Sequence, residues 1–148
     1  MSNATERLAN EKHVQAFLEK FHESSKPDWA VLMEYFADDA HYQPLVPMRD
    51  PVQGKKAISA ELERQYQFYK DCECVIHSIG SGDSKVFTER TDTVTLLHNG
   101  QKVAARLNAV FDIATDGRIK GWREYYDSGD MQKQLGVTAE QWAQIMTQ

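Results

Sequence analysis

Three charged residues could form an acid–base site if they meet on one face of a sheet: Arg90, Asp92 and Glu124. Arg90 and Asp92 are two positions apart, and residues with that spacing on a strand point to the same face. A guanidinium between two poorly solvated carboxylates allows one carboxylate to stay charged while the other holds a proton. The trio therefore favours catalysis by an acid paired with a base, and the alternative is a buried ion pair that only fixes the sheet.

Two turn motifs predict how the strands that carry these residues align. Asn99-Gly100 and Asp116-Gly117 lie between alternating runs and favour two-residue type I′ hairpin loops. With these loops, Ala109 faces Arg90 on one side and Glu124 on the other. Two strand spacings, roughly 9.6 Å, then separate Arg90 from Glu124. The small Ala109 leaves room for the guanidinium to reach at least one carboxylate, and we expect the two carboxyl groups to have pKa values that are pushed apart.

The same alignment gives the sheet an apolar face and a polar face. The polar face carries mostly charged and hydroxyl residues, among them Asp112, Arg123 and Asp127. The apolar face includes the three charged residues and is expected to turn toward the helices and the interior. The candidates for the wall of a substrate cavity, which could instead be plain core, are Val94, Leu107, Trp122, Tyr126 and, more weakly, Tyr69.

The helical spacing of apolar residues predicts the elements that back this sheet. The first helix ends before Ser24 and has a buried face made of Val14, Phe17, Leu18 and Phe21. The second helix begins after Asp28 as N-cap and extends to Phe36. A short strand follows over residues 40–43, and a third helix is predicted over residues 55–69.

Beyond the third helix the pattern changes to a period of two. Over residues 72–127, runs of alternating apolar and polar residues are separated by tight turns, which predicts four long strands. Thr138 and Gln141 form a capping-box pattern ahead of a last helix. The order of elements predicts an α+β fold, a curved antiparallel sheet backed by helices. Residues 1–10 are expected to form a tail and the start of the first helix, and residues 11–148 a single domain.

Composition excludes several classes of function. The 148 residues include 17 Lys and Arg against 22 Asp and Glu, a net charge of −5 that argues against a nucleic-acid partner. The sequence shows neither a secretory signal nor an apolar run of about 20 residues, so we expect a cytoplasmic protein without a membrane partner. Cys72 and Cys74 are interpreted as reduced packing residues, and the five histidines lack the spacing of a zinc site.

Several motifs together resemble one enzyme family. They are residues 88–92 (Thr-Glu-Arg-Thr-Asp), residues 121–127 (Gly-Trp-Arg-Glu-Tyr-Tyr-Asp), residues 34–39 and the Tyr42-Gln43 pair. Over residues 11–136 the chain resembles the limonene-epoxide hydrolases. Those enzymes belong to the nuclear transport factor 2-like, or SnoaL-like, superfamily, which also holds ketosteroid isomerases and polyketide cyclases. The resemblance implies a conical α+β barrel, a homodimer, a small apolar substrate, and no metal or organic cofactor.

The resemblance also implies a role for each site residue. Asp92 would be the general acid on the epoxide oxygen, Arg90 the bridging residue, and Glu124 the general base on water. Tyr42 would help to position this water. The family has an aspartate where this chain has Glu124, and a water-holding asparagine where this chain has Pro44.

Two other classes of function stay open at the level of sequence. A non-catalytic domain could use the charged trio to bind a small polar ligand, and an isomerase or cyclase could use the same scaffold, because fold does not fix function. Pro44 favours the binding domain and the cyclase over the hydrolase, since it offers no side-chain hydrogen bond to a water molecule. The resemblance counts it against an isomerase, because ketosteroid isomerases have their catalytic aspartate at the position of Pro44. The set of Arg90, Asp92 and Glu124 favours the hydrolase.

Overall fold

Five helices pack against one face of the sheet or close its end. The computed structural model describes residues 3–147, so the first two residues of the predicted tail lie outside the described range. Helix α1 spans Ala4–Glu19 and continues as a single 3-10 turn over Lys20–His22. Helix α2 spans Trp29–Met33 and helix α3 spans Lys55–Gln65. Helix α4 spans Ser128–Leu135, and helix α5 spans Ala139–Thr147.

The six strands form one curved, open sheet in the order β2-β1-β6-β5-β4-β3. Its long strands follow one another as a meander, which confirms the four strands predicted from the period of two. Strand β1, however, runs parallel to β6, so the sheet is mixed rather than fully antiparallel. The strand bounds are Phe36–Gln43 for β1, Val52–Gln53 for β2, Tyr69–Gly82 for β3, Lys85–Leu96 for β4, Lys102–Ile113 for β5 and Ile119–Tyr126 for β6.

Two predicted helix ends were wrong. Phe36 was placed in the second helix but begins β1, because the Ile119 N–H donates to the Tyr35 carbonyl at 2.9 Å and draws this segment into the sheet. Phe36 is fully buried. A buried aromatic residue fits the helical period as well as the strand period, so the pattern does not distinguish the two elements here. Tyr69 was placed at the end of the third helix but begins β3, since α3 ends at Gln65.

The loop between β4 and β5 is longer than predicted. The Leu96 N–H donates to the Gln101 carbonyl at 2.8 Å, so the loop has four residues, 97–100, and the predicted two-residue loop was wrong. Pairing is therefore displaced by two positions, and Arg90 faces Leu107 instead of Ala109. A displacement of two leaves every side chain on its predicted face.

The loop between β5 and β6 also differs from the prediction, yet the pairing beyond it does not. The Ala114 N–H donates to the Arg118 carbonyl at 2.8 Å, which makes a three-residue loop in which Gly117 has a φ of +88°. A bulge next to Asp112 absorbs the extra residue. Ala109 therefore faces Glu124, as predicted.

The C-terminal helices close one end of the sheet. Helix α5 confirms the predicted capping box, because the Gln141 N–H donates to the Thr138 hydroxyl at 3.1 Å and the Thr138 N–H donates to the Gln141 side chain at 2.8 Å. Helix α4 was not predicted. It begins after Asp127 as N-cap and ends at Gly136, which has a φ of +67°. Among residues 3–147, no helix has both the length and the apolar character needed to cross a membrane.

The main core lies between α1, α3 and the inner face of the sheet. Phe17 of α1 makes edge contacts with the rings of Phe36 and Trp122, at centroid distances of 5.2 and 5.1 Å. Cys72 and Cys74 are free and buried in this core, with their Sγ atoms 3.9 Å apart. Aromatic side chains thus pack the inner face beside the charged trio.

Candidate active site

The structure brings Arg90, Asp92 and Glu124 together on the inner face. Arg90 donates from Nε and Nη2 to the two oxygens of Asp92, at 3.0 and 2.8 Å. Its Nη2 also donates to Glu124 Oε2 at 2.5 Å, and its Nη1 donates to the Thr88 hydroxyl at 3.2 Å. Only 1% of Arg90 is exposed, so the guanidinium lies behind the two carboxylates and holds both.

The register explains how Arg90 reaches its partners. Asp92 is two residues along β4, on the same face. Glu124 lies opposite Ala109, and Ala109 lies opposite Thr88, so Arg90 meets Glu124 along a diagonal rather than in one row. The contact forms despite the displaced hairpin because the arginine side chain is long and Ala109 between them is small.

Glu124 is the most desolvated carboxylate of the site. Burial raises the pKa of Glu124, the positive charge of Arg90 acts against this shift, and the negative charge of Asp92 adds to it. Trp122 Nε1 donates to Glu124 Oε2 at 3.1 Å, so both donors converge on the same oxygen. No residue within 3–147 donates a hydrogen bond to Oε1, which leaves that oxygen able to accept a proton from a molecule in the adjoining cavity.

A cavity of about 300 Å³ adjoins the two carboxylates. Its wall is mostly apolar, and Asp92 and Glu124 face it from the sheet while Arg90 does not reach its surface. Of the residues predicted for the pocket, Val94, Leu107, Tyr126 and Tyr69 line it. Trp122 does not, because it lies behind Tyr42, with the two rings stacked at 4.1 Å.

Tyr42 enters the site from β1. Its position opposite Trp122 in the parallel pair sets the stacking, and its hydroxyl accepts a hydrogen bond from Gln65 Nε2 at 3.1 Å. Burial raises the pKa of Tyr42, and the negative charge of Glu124 adds to the shift. Tyr42 is therefore a neutral phenol next to the carboxylates over the whole physiological range.

Sequence reasoning missed the part of the wall that α3, α4 and α5 supply. Gln65 at the end of α3 and Phe68 just beyond it face the cavity. Residues of α4, α5 and the turn between them complete the wall: Met131, Leu135, Val137, Trp142, Ile145 and Met146. Asp127 and Gly136, an N-cap and a left-handed C-cap, were signals that could have identified α4. The Ser-Gly-Asp start of α4 has low helix propensity and conceals the element.

Comparison with known proteins identifies relatives of this chain by sequence. The family model described as SnoaL-like domain matches residues 14–122. Epoxide hydrolase EphG of Mycobacterium tuberculosis is 40% identical over 77 residues, which are 52% of this chain and 50% of that protein. The matched segment thus spans half the length of this curated relative.

Solved structures extend the likeness to almost the whole fold. An LEH-like epoxide hydrolase of M. tuberculosis is 30% identical, with a TM-score of 0.73, and the match covers 88% of this chain and 91% of that chain. The epoxide hydrolase/cyclase-like enzyme SalBIII, which acts in pyran ring formation in the polyether salinomycin, is 19% identical with a TM-score of 0.72, covering 83% of this chain and 94% of that chain. The second likeness shows the shared fold alone.

Proposed function

The chain belongs to the SnoaL-like domain family, and from this premise we propose that it is a hydrolase that opens a small lipophilic epoxide to a diol. The observation that carries the proposal is the shared Arg90, which bonds two carboxylates at the edge of an apolar cavity. One cation between two carboxylates disfavours full ionisation of both, so the pair is suited to hold one proton. The likeness to an LEH-like epoxide hydrolase supports the same reaction class.

The surroundings of the two carboxylates support different roles. Glu124 has Tyr42 and Gln65 near its side of the cavity, which makes this side the more suitable one for a water molecule. Asp92 lies opposite Ala105 and next to apolar wall residues, where the carbon skeleton of a lipophilic epoxide would be accommodated. We therefore assign Glu124 as the general base and Asp92 as the general acid.

The reaction balances without a cofactor. Glu124 takes a proton from water as the water oxygen bonds to an epoxide carbon, and the breaking C–O bond leaves its electron pair on the ring oxygen. Asp92 donates a proton to that oxygen, which completes the diol. One proton resides on the pair before and after the step, so transfer from Glu124 back to Asp92 restores the starting state. Acid and base contributions are typically worth about 10² to 10⁴-fold each.

A panel of small lipophilic epoxides tests the proposal. Purified protein, without added metal, should convert at least one of them to its diol, measured by gas chromatography. Water labelled with ¹⁸O should place one labelled oxygen in the product, which identifies water as the nucleophile. If neither the parent nor a Pro44→Asn variant forms a diol from any member of the panel, the hydrolase proposal fails.

A second candidate is a non-catalytic domain that binds a small ligand. Pro44 favours it, because this residue lines the cavity and offers no side-chain hydrogen bond to a nucleophilic water. Such a domain would bind an apolar fluorescent probe in the cavity, and Leu107→Trp would reduce that binding, while all epoxides remain unconverted. Diol formation that is lost in Asp92→Asn would exclude this candidate.

A homodimer is the proposed working form. The family resemblance implies it, and the outer face of the sheet exposes three apolar side chains, Val75 at 48%, Phe87 at 46% and Tyr125 at 41%. Burying exposed apolar area is the usual driving force for association. Light scattering of the parent should give twice the mass of the chain, and Phe87→Ser should shift the mass toward one chain. A parent with the mass of one chain would overturn this proposal.

A further inference from the structure

A buried carboxylate on α3 is bound from several directions. Glu61 is 6% exposed, and its oxygens accept hydrogen bonds from Arg49 Nη2 at 2.8 Å, Arg64 Nη2 at 2.9 Å and Gln65 Nε2 at 3.1 Å. Burial alone would raise the pKa of Glu61, but the bonds from Arg64 and Arg49 outweigh burial and lower it. Glu61 is therefore ionised near neutral pH and can only accept hydrogen bonds.

The ionised Glu61 fixes the orientation of the Gln65 amide. A carboxylate oxygen 3.1 Å away must face the NH2 group, because the reverse orientation would place two acceptors in contact. The second N–H of the same group then donates to the Tyr42 oxygen at 3.1 Å. On the other side of the amide, Oε1 accepts the Tyr69 hydroxyl proton at 2.9 Å. Gln65 thus has a single orientation with both of its N–H groups engaged.

This orientation determines the direction of the Tyr42 hydroxyl proton. Because the Tyr42 oxygen accepts from Gln65, its own O–H must point away from Gln65. Within residues 3–147 no acceptor receives this proton, and Tyr42 lines the same cavity as Glu124. The cavity therefore presents a directed donor from Tyr42 and a free acceptor, Oε1 of Glu124.

We propose that Gln65 is a positioning residue, which acts through Tyr42 to hold the nucleophilic water beside Glu124. The inference rests on the proposed function for the identity of the bound molecule. A water oxygen has two lone pairs, so one accepts from Tyr42 while the other faces the epoxide carbon. One of its protons is then directed to Glu124 Oε1. Glu61, which is held by the two arginines, and Tyr69 keep the Gln65 amide in place.

A double-mutant cycle between Gln65 and Tyr42 tests the inference. Gln65→Met keeps the length of the side chain but removes the amide, and Tyr42→Phe removes the hydroxyl. If Gln65 acts through Tyr42, each single change lowers kcat about tenfold, with KM altered less than about threefold, and the double variant is no slower than Tyr42→Phe. Losses that multiply in the double variant would overturn the inference.

A titration measures the same coupling without catalysis. Carboxyl ¹³C NMR of Glu124 should show a higher pKa in Gln65→Met, because an undirected hydroxyl stabilises the carboxylate less. The pKa of Glu124 should be equally high in Tyr42→Phe and should not rise further in the double variant. An unchanged Glu124 pKa in Gln65→Met would overturn the inference.

A matched control separates positioning from damage to the helix end. Gln67→Met changes the same residue type two positions along, where the amide donates, among residues 3–147, only to the Glu63 carbonyl on the exposed surface. Gln67→Met should leave both kcat and the pKa of Glu124 at parental values. A change in either quantity as large as that in Gln65→Met would overturn the inference. If the titration shows the coupling but no epoxide is hydrolysed, the proposed function fails while the orientation of Tyr42 by Gln65 stands.

Discussion

Two ion clusters lie on opposite faces of strands β4 to β6, one centred on an arginine and the other on an aspartate. On the inner face Arg90 holds two carboxylates, Asp92 and Glu124. On the outer face Asp112 holds two cations, accepting from Arg123 Nη1 at 2.5 Å and Nη2 at 3.1 Å, and from Lys85 Nζ. The inner cluster has more carboxylates than cations and faces a cavity, whereas the outer cluster has more cations than carboxylates.

The difference in charge balance gives the two clusters opposite acid–base behaviour. Burial raises the pKa of Glu124, and a single arginine is shared between it and Asp92. Burial also acts to raise the pKa of Asp112, but hydrogen bonds from Arg123 and Lys85 lower it to about 2. An arginine bound to a buried carboxylate therefore does not by itself indicate catalysis. The ratio of carboxylates to cations distinguishes a cluster that can exchange a proton from one that only joins strands.

The largest expected contrast is in turnover. Asp92→Asn and Glu124→Gln should each reduce diol formation by about 10² to 10⁴-fold, because each removes one proton-transfer group. Asp112→Asn is the matched control and should leave turnover within about threefold of the parent, since its cluster lies on the other face. The measurement is kcat for the best epoxide, with the thermal midpoint of each variant recorded. A comparable loss of turnover in Asp112→Asn would remove the distinction between the clusters.

The second contrast concerns removal of the arginines. Arg90→Met leaves the buried Glu124 and the partly buried Asp92 without their cation and should cost about 3–5 kcal/mol of unfolding free energy at neutral pH. Arg123→Met should cost about 1 kcal/mol or less, because Lys85 still binds Asp112 and the site is partly solvated. Urea unfolding measures both values. The deficit of Arg90→Met should shrink as the pH falls and the carboxylates are protonated, and equal costs for the two arginines would contradict the charge-balance argument.

The third contrast is in the pH dependence of stability, which should have opposite signs for Asp112 and Glu124. The lowered pKa of Asp112 contributes stability above its unfolded value of 3.8, and this contribution is lost as the pH falls toward about 2. Asp112→Asn should therefore be less stable than the parent by roughly 1 to 2 kcal/mol above pH 5, with the difference vanishing in acid. The difference in unfolding free energy between variant and parent, followed from pH 2 to 8, checks the direction.

The raised pKa of Glu124 should act in the opposite direction. Ionising this buried group costs stability, and the cost begins as the pH rises above its unfolded value of 4.5. The stability of Glu124→Gln relative to the parent should therefore increase with rising pH and stay constant below pH 4.5. The same unfolding series measures it, and a relative stability that falls with rising pH would show that the pKa of Glu124 is not raised.

The smallest expected effect is at the wall of the inner cavity. Pro44→Asn adds an amide beside the site, and one further hydrogen bond to water corresponds to a gain in turnover of about two- to tenfold. Two residues along, the Val46 N–H donates to the Glu124 carbonyl at 2.9 Å, so the loop should keep its place in the variant. Steady-state kinetics at saturating epoxide measures the gain. An unchanged turnover would indicate that Tyr42 and Glu124 already hold the water without help from position 44.

Much of the inner face was predictable, because its signal is local. The period of two places Arg90 and Asp92 on one face whatever the loop, and the four-residue loop 97–100 displaced the pairing by an even number. The three-residue loop at Gly117 was offset by the bulge near Asp112, so Glu124 kept its predicted partner. The predicted contact of Arg90 with a carboxylate was confirmed although both loop lengths were wrong.

The remainder of the site depends on contacts between distant segments. Glu61 and Gln65 look like ordinary polar residues of a surface helix until α3 packs against β1 and turns them toward Tyr42. The outer cluster was equally hidden, because Asp112 and Arg123 were expected on the polar face without any indication that they pair there. A periodic pattern identifies a face, but it does not identify which long-range partners that face will meet.

The parallel pairing of β1 with β6 has a consequence for folding. Strands β3 to β6 meet through short hairpins, so their contacts close small loops, whereas Tyr42 must find Trp122 across most of the chain. Contacts between distant residues carry the larger entropic cost and tend to form late. We expect the meander to collapse first and to carry an incomplete site, with the three charged groups but without the phenol of Tyr42. The docking of β1 would then be the step that adds Tyr42 and completes the site.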